Sequence, residues 1–564
     1  MRTSYLILVY FSLLISNINV SQSLNLNNSE VIDYLRLKQL SGDSLINYSF
    51  NQRPIELNEF IQRNYNLNDL YPTLFSFNKG AGIVKILPPA VQIDFNSQHP
   101  YNRNNGSMIP NRGLQNLSSI GIYFNYGPLT IQLNPEFIYA ENKNYDGFWE
   151  GHYDITWRRR YQLWNTIDIP ERFGEKEYKQ FLIGQSSIKL NFKKLSFGIS
   201  NENIWWGPSL RNGIMMSNHA RGFKHITLNS NRPIETKIGN FEFQIVTGRL
   251  ESSGFTPPGT ERTYGGQKLY IPKINQLSRT DDWRFFQGFN FSYSPSFMKG
   301  VSFGITRWVQ MYSALVEGKY YWMKGNPTYF PAFKNIFRKN DSSSDLEEQT
   351  DQAAGIYFRW FMSDADLEIY SEYAYNDSKQ NLRDLLLDSD HSRAVSIGMQ
   401  KIFKKNNLLF NWEWTQLEQT AGRLVRNSGS WYRHYNVYHG YTNYGEVIGA
   451  SIGPGSNSHY ISISKIDDFN KYGIAFEVID QDNDFFYYAF EDTNDFRRMW
   501  KDYNLHLNFQ KKFGNFYSSF NLIFIKSLNY QWELTEKGTS YYQPGRDVNN
   551  LHFKTKIIYK IPLN

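Results

Sequence analysis

From about residue 81 onward, segment after segment alternates apolar and polar side chains with a period of two, the spacing at which successive side chains fall on opposite faces of a β-strand. Val301, Phe303, Ile305 and Val309 alternate with Ser302, Gly304, Thr306 and Gln310, interrupted only by Arg307 and Trp308. Tyr503, Leu505, Leu507 and Phe509 alternate with Asn504, His506, Asn508 and Gln510, and Leu408, Phe410, Trp412 and Trp414 face away from Asn411, Glu413 and Thr415. The breaks between these segments are lopsided. About eight are short, at 126–128, 193–194, 239–240, 295–300, 363–366, 404–407, 467–470 and 511–515. About nine are long and polar-aromatic, near 96–116, 141–178, 204–223, 251–281, 312–351, 377–391, 418–458, 481–499 and 528–547. Short and long connections in alternation imply roughly eighteen antiparallel strands, an even number, as in a single-chain transmembrane β-barrel with tight periplasmic turns. A β-sandwich would need tight turns at both ends of its strands.

Composition agrees with this reading. The chain has 42 Phe, 40 Tyr and 14 Trp, so 17% of its 564 residues are aromatic while only 20% are charged. Strands and membrane interfaces both favour aromatics. No long apolar run follows the first residues, which excludes a helical membrane protein. There is no Cys, which removes disulfides and thiolate chemistry, and the net charge of +7 is modest for this length.

The opening residues read as an address. Arg2, the apolar stretch Leu6 to Ile15 and the small-residue region Val20-Ser21-Gln22 predict an export signal over residues 1–22. Residues 23–80 are expected to form a small periplasmic helical element outside the barrel, with helices over 29–40 and Ile55 to Leu67, and residues 81–564 the outer-membrane barrel. Once closed, a barrel of this size is too wide for its own inward side chains to fill, so the lumen is either a channel or plugged by loops.

Function is sought in the loops, since a rigid scaffold carries it there. Two stretches stand out, Glu202 to Phe223 and Trp431 to Tyr460. In the second, aromatics interleave with Arg433, His434, Asn436, His439 and Asn443. A sugar ring offers an apolar C–H face and a rim of hydroxyls, which suits flat aromatic platforms beside such hydrogen-bonding groups. The candidate polysaccharide contacts are Trp205, Trp206, Arg211, Arg221, Trp431, Arg433, His434, Tyr435, Tyr438, His439 and Tyr441. Tyr and Trp equally form interfacial girdles, the reading that suits most of the strand aromatics. Catalytic and metal readings fare worse. His434 and His439 lack a nearby carboxylate, and neither a nucleophile elbow, a zinc-binding helix motif nor a P-loop occurs. Glu368 and Glu372 would share the lumenal face of one strand, where a glycosidase pair could sit, but barrel interiors carry such acids anyway. The chain is expected to be no enzyme, to need no cofactor or metal, and to bind no nucleic acid.

Several ordered motifs resemble the capsule assembly protein Wzi family. They are Trp205-Trp206-Gly207-Pro208 with Ser217-Asn218-His219-Ala220-Arg221, then His391-Ser392-Arg393-Ala394. Tyr435 to Thr442 with Gly449 and Ile452 to Ser458, and Asp482 to Tyr488, complete the set. The resemblance spans residue 81 to the C-terminus, with an echo at Tyr34-Leu35-Arg36-Leu37. It implies an all-β outer-membrane barrel of eighteen strands with a periplasmic helical element. The implied role is a non-catalytic lectin that attaches capsular or exopolysaccharide to the cell surface, with outer-membrane lipid and other capsule export components as further partners. The alternative is a passive porin or export channel for oligosaccharides. The resemblance transfers no site residues.

Overall fold

The computed structural model describes residues 21–43, 46–58, 62, 64, 65, 67, 70–274, 282–316, 330–333, 349–376, 382–493, 495–534 and 545–562. The predicted export signal lies outside this set except for its last two residues, and parts of the long loops expected near 251–281, 312–351, 377–391 and 528–547 lie outside it too.

The period-two segments form one closed antiparallel barrel of eighteen strands. They are β1 (Gly82–Asn96), β2 (Gly113–Tyr126), β3 (Leu129–Leu133 and Glu136–Ala140), β4 (Tyr178–Leu182 and Ser187–Phe192), β5 (Leu195–Ser200) and β6 (Lys224–Ser230). Next come β7 (Gly239–Leu250), β8 (Arg284–Pro295), β9 (Val301–Tyr312), β10 (Asp351–Met362), β11 (Leu367–Asn376) and β12 (Arg393–Phe403). The ring finishes with β13 (Leu408–Gln416), β14 (Asn457–Asp467), β15 (Asn470–Asp480), β16 (Lys501–Phe513), β17 (Phe516–Leu528) and β18 (Val548–Tyr559). Each strand pairs with the next, and β18 closes on β1 from His552 opposite Asn96 to Ile558 opposite Ala90. Closure leaves no edge, the condition lipid imposes on any sheet that crosses it. Eight short connections lie at one end and nine long ones at the other, as the turns predicted. The one shifted turn is the sixth connection, where Ile234–Thr236 pairs back on β7 and moves the reversal ahead of Gly239.

The two faces of each strand have opposite chemistry. Ile199, Ile305, Ile356, Ile474 and Phe524 point outward and stay exposed, the apolar band that lipid covers. Asn290, Thr306, Glu372, Thr415 and Asn504 point inward and are buried, so much of the lumen is occupied. Both irregular residues of β9 have local explanations. Trp308 is inward-facing and stacks on Tyr441 at 3.9 Å. Arg307 is buried and donates to the Ala332 carbonyl and the Gln352 side chain.

The N-terminal segment enters the short-turn mouth of the barrel rather than standing outside it. Ser21–Leu24 pairs antiparallel with Ile55–Asn58, so the second expected helix begins instead as a strand. Helix α1 (Ser29–Leu40) lies against the lumenal wall. Its Lys38 pairs with Asp468 in the β14–β15 turn, its Tyr34 donates to the same carboxylate, and its Arg36 meets Glu368 of β11. Arg359 of β10 grips the same Glu368 at 3.0 Å and also reaches the Ser49 carbonyl and the Gln39 side chain. Farther along, Asn51 donates to Ser292 and Ser302, and Lys189 of β4 pairs with Glu56. Short lumenal residues of β8 and β9 leave room for the segment, and the charged ones hold it.

Candidate functional site

The other end of the lumen is closed by long loops folded inward, and the first of these turns on Trp206-Gly207-Pro208. Gly207 has φ of +99°, and a Cβ there would lie 2.3 Å from a Glu372 carboxylate oxygen, so only glycine permits the approach. Past that corner, the backbone N–H groups of Ser209 and Ile214 donate to Glu372. Those of Leu210, Arg211 and Asn212 donate to Glu413, which also accepts from the Tyr370 hydroxyl at 2.7 Å. Two lumenal carboxylates thus satisfy backbone donors that a loop inside a barrel would otherwise leave unpaired. Glu368 is held by two guanidinium groups and Glu372 by a loop, so neither stands as a free acid facing the other.

A second loop locks onto the first. Ser217 donates its N–H to the Ile448 carbonyl and its hydroxyl to that of Gly449. The Tyr432 hydroxyl reaches the Ile214 carbonyl, and the Tyr441 hydroxyl reaches that of Met215. Above them sit helix α2 (Asp154–Trp164) and helix α3 (Asn483–Phe490). Asp482 caps α3 by accepting from the Phe485 N–H, and its position is fixed by the preceding turn, where Asn483 N–H meets the Gly455 carbonyl. Phe148, Trp157, Trp164, Phe485 and Trp532 form an aromatic core between the helices. Motifs far apart in sequence therefore converge on one loop cap.

The sequence-selected residues divide by burial. Trp206, Trp431, His439 and Tyr441 are at most 1% exposed and form part of the plug, with no ring face left for a sugar. Trp205 is also buried, pairs through its backbone with Arg53, and lies 4.4 Å under the Arg53 guanidinium. Arg211 turns into the lumen, where it pairs with Glu477 and stacks 3.8 Å from the Tyr460 ring. Arg221 lies over the Tyr444 ring and is half-buried. The outward members belong to one turn. Tyr435 is 77% exposed, Arg433 and Tyr438 are half-buried, and half-buried His434 uses Nδ1 to accept from the Val437 N–H. Arg433 is anchored to the Thr166 hydroxyl at the end of α2.

Sequence reasoning placed Glu372 in the lumen but missed that it and Glu413 hold the loops. Glu413 shows up only as an inward residue of an alternating strand, and its partners lie about two hundred positions away. Asp484, at the start of α3, stands in the Asp482 to Tyr488 motif, but nothing in the sequence marks its burial. Burial and the neighbouring Asp482 push its carboxyl up to about 7, against a Gln419 N–H that favours the charged form. A carboxyl raised in this way binds its proton more tightly folded than unfolded. Its presence therefore costs stability progressively as pH rises from the ordinary carboxylate range towards 7. Asp484→Asn should flatten the decline in melting temperature between about pH 4 and 7, and an unchanged pH profile would show that the group does not titrate there.

Residues 97–471 match the model of the family described as capsule assembly protein Wzi. Among solved structures, the fold is similar to that of Wzi from Escherichia coli, an outer-membrane protein involved in group 1 capsule assembly and a carbohydrate-binding β-barrel. The two share 10% identity over 97% of this chain and 100% of that one, with a TM-score of 0.59. Weaker likenesses include OccAB2 of Acinetobacter baumannii, at 10% identity over 84% of this chain and 98% of that one with a TM-score of 0.38. OccK7 (OpdD) of Pseudomonas aeruginosa is at 9% over 85% and 99%, also with a TM-score of 0.38. No curated protein sequence matches the chain. A family match across about two thirds of the sequence, on a closed barrel with an apolar belt, places this chain in the outer membrane as a member of the capsule assembly protein Wzi family.

Proposed function

We propose that the chain is a non-catalytic surface lectin that holds capsular or exopolysaccharide on the outer face of the outer membrane, together with other capsule export components. The observation that carries this reading is the loop cap. It presents Tyr435, Tyr438, Arg433 and His434 together on an outward turn, above a core that fixes the backbone beneath them. Tyr supplies a flat stacking face and Arg a fork of donors suited to uronate or hydroxyl oxygens. In this reading Trp206, Trp431, His439 and Tyr441 act from below by holding the turn, and Arg221 and Tyr444 add a second contact at the rim. The plugged lumen disfavours the porin alternative, because a passive pore needs a continuous aqueous path.

Deleting the gene should release polymer into the medium with synthesis unchanged, and full retention on the cell would sink the proposal. Arg433→Ala with Tyr435→Ala should reduce binding of purified barrel to its own cell-surface polymer by roughly tenfold, as expected when a stacking ring and a charged donor are lost. The barrel itself should assemble normally.

A further inference from the structure

The lumen is filled unevenly. Along β8 to β12 the N-terminal segment packs against the wall, but towards β15 to β18 a chamber of 220 Å³ remains between α1 and the inward loops. Its floor is Ser29 and Asp33 of α1, its roof includes Trp205, Asn212 and Asn218, and its wall includes His506, Asn521 and Lys554. A continuation beside α1 reaches Lys471 and Asp33.

Three observations distinguish this chamber from leftover space. The first is charge. Arg53, Arg103, Lys471 and Lys554 line the chamber and its continuation without an ion pair among the described residues, against two lining carboxylates in the same condition, Asp33 and Glu413, of which Glu413 is already filled by loop N–H donors, while Glu477 is paired with Arg211. The second is unmet hydrogen bonding. Trp205 Nε1, Asn218 Oδ1 and the Nε atoms of Arg53 and Arg103 are buried without partners. Arg53 donates to the Gly207 and Ser209 carbonyls, Arg103 to that of Ser451 and Lys554 to the Asn105 side chain, but these acceptors are neutral and leave the positive charges uncompensated, which is costly away from bulk water. The third is contrast. Where the lumen is packed, its wall is built from groups such as Ser292, Ser302 and Thr306, which show that this barrel can line its interior with small neutral residues.

We infer that the chamber is a second, lumenal binding site for an oxyanion carried on a hydroxyl-rich frame, that is, an acidic mono- or disaccharide. The cations would take the carboxylate, the Trp205 indole N–H and the asparagine amides the hydroxyls, and Tyr101 and Tyr460 would flank the ring. It is separate from the outward turn at Tyr435, and its test does not depend on polymer retention at the surface.

Because the chain has no Cys, one introduced thiol reports alone. Ser29→Cys places it on the chamber floor, and Ser296→Cys, on the exposed β8–β9 turn, serves as the control. In detergent-purified full-length protein, the sulfonate-bearing methanethiosulfonate should modify Ser29→Cys about tenfold faster than its trimethylammonium analogue, because a cationic cavity concentrates anions. The control should show no such preference. Digalacturonate should slow the chamber reaction, and a neutral disaccharide should not. Adding Lys554→Gln and Arg103→Gln should remove the protection, and Lys471→Gln alone should weaken it if the double variant does not assemble. Equal rates for the two reagents would overturn the inference. So would protection by inorganic phosphate without protection by digalacturonate.

Discussion

Replacing Glu372 and Glu413 together with alanine is expected to turn a nearly silent barrel into a conducting one. These two carboxylates accept from the backbone N–H groups of Ser209 and Ile214 and of Leu210, Arg211 and Asn212. Removing both leaves those amides without acceptors in the lumen, at about 1–3 kcal/mol for each donor that stays buried. The cheaper outcome is for residues 209–214 to leave the wall and find water. That opens the path beside α1, so single-channel conductance in planar bilayers should rise on the order of tenfold or more over the parent protein. Either single substitution should do less, because the other carboxylate still holds its part of the loop. A double variant that inserts normally yet stays as silent as the parent would show that the plug is held by its aromatic core alone.

The second large effect concerns the opposite end. Glu368 lies fully buried between Arg36 of α1 and Arg359 of β10, with Nε of each guanidinium at 3.0 Å from its carboxylate. Glu368→Gln leaves two buried cations with no anion between them, and breaking a buried pair this way costs about 3–5 kcal/mol. Since Arg36 is on the N-terminal segment and Arg359 on the wall, the loss should appear as release of that segment. Limited proteolysis should cut within residues 29–40 while the strands stay resistant. Replacing all three groups with apolar residues of similar volume should restore much of the protection, because a buried ion network is often no more stable than well-packed apolar side chains. If Glu368→Gln leaves cleavage unchanged, the segment is held by the rest of its contacts.

The barrel was legible in the sequence because its constraint is local. A strand with lipid on one side and a polar lumen on the other must alternate, and Leu408 to Gln416 does so residue by residue. The short turns are local too, which is why the strand number could be counted. The start of the second expected helix is misplaced for the opposite reason: Ile55–Asn58 becomes a strand by pairing with Ser21–Leu24, a ladder between segments some thirty residues apart that no period in either segment announces. The loop aromatics were ambiguous because a girdle, a plug and a sugar platform all use Trp and Tyr. Trp431 and Tyr435 are four residues apart in the same motif, yet one is 1% exposed and the other 77%. What separates them is which loop lies above, and in this barrel the loops meet only after strands far apart in sequence have closed.

That closure also sets an order of events for biogenesis. The seam joins the first strand to the last, Ala90 to Ile558, while residues 21–43 and 46–58 lie within the ring and pair with its interior through Trp205–Trp206. Once the seam has zipped, α1 could reach its place only by threading through the mouth that it blocks. Docking of the N-terminal segment onto the half-built, still open sheet, before the last strand arrives, is the expected order. The segment would then act as an internal former around which the wall curls, and a chain lacking it should stall as an open sheet rather than mature into a hollow barrel.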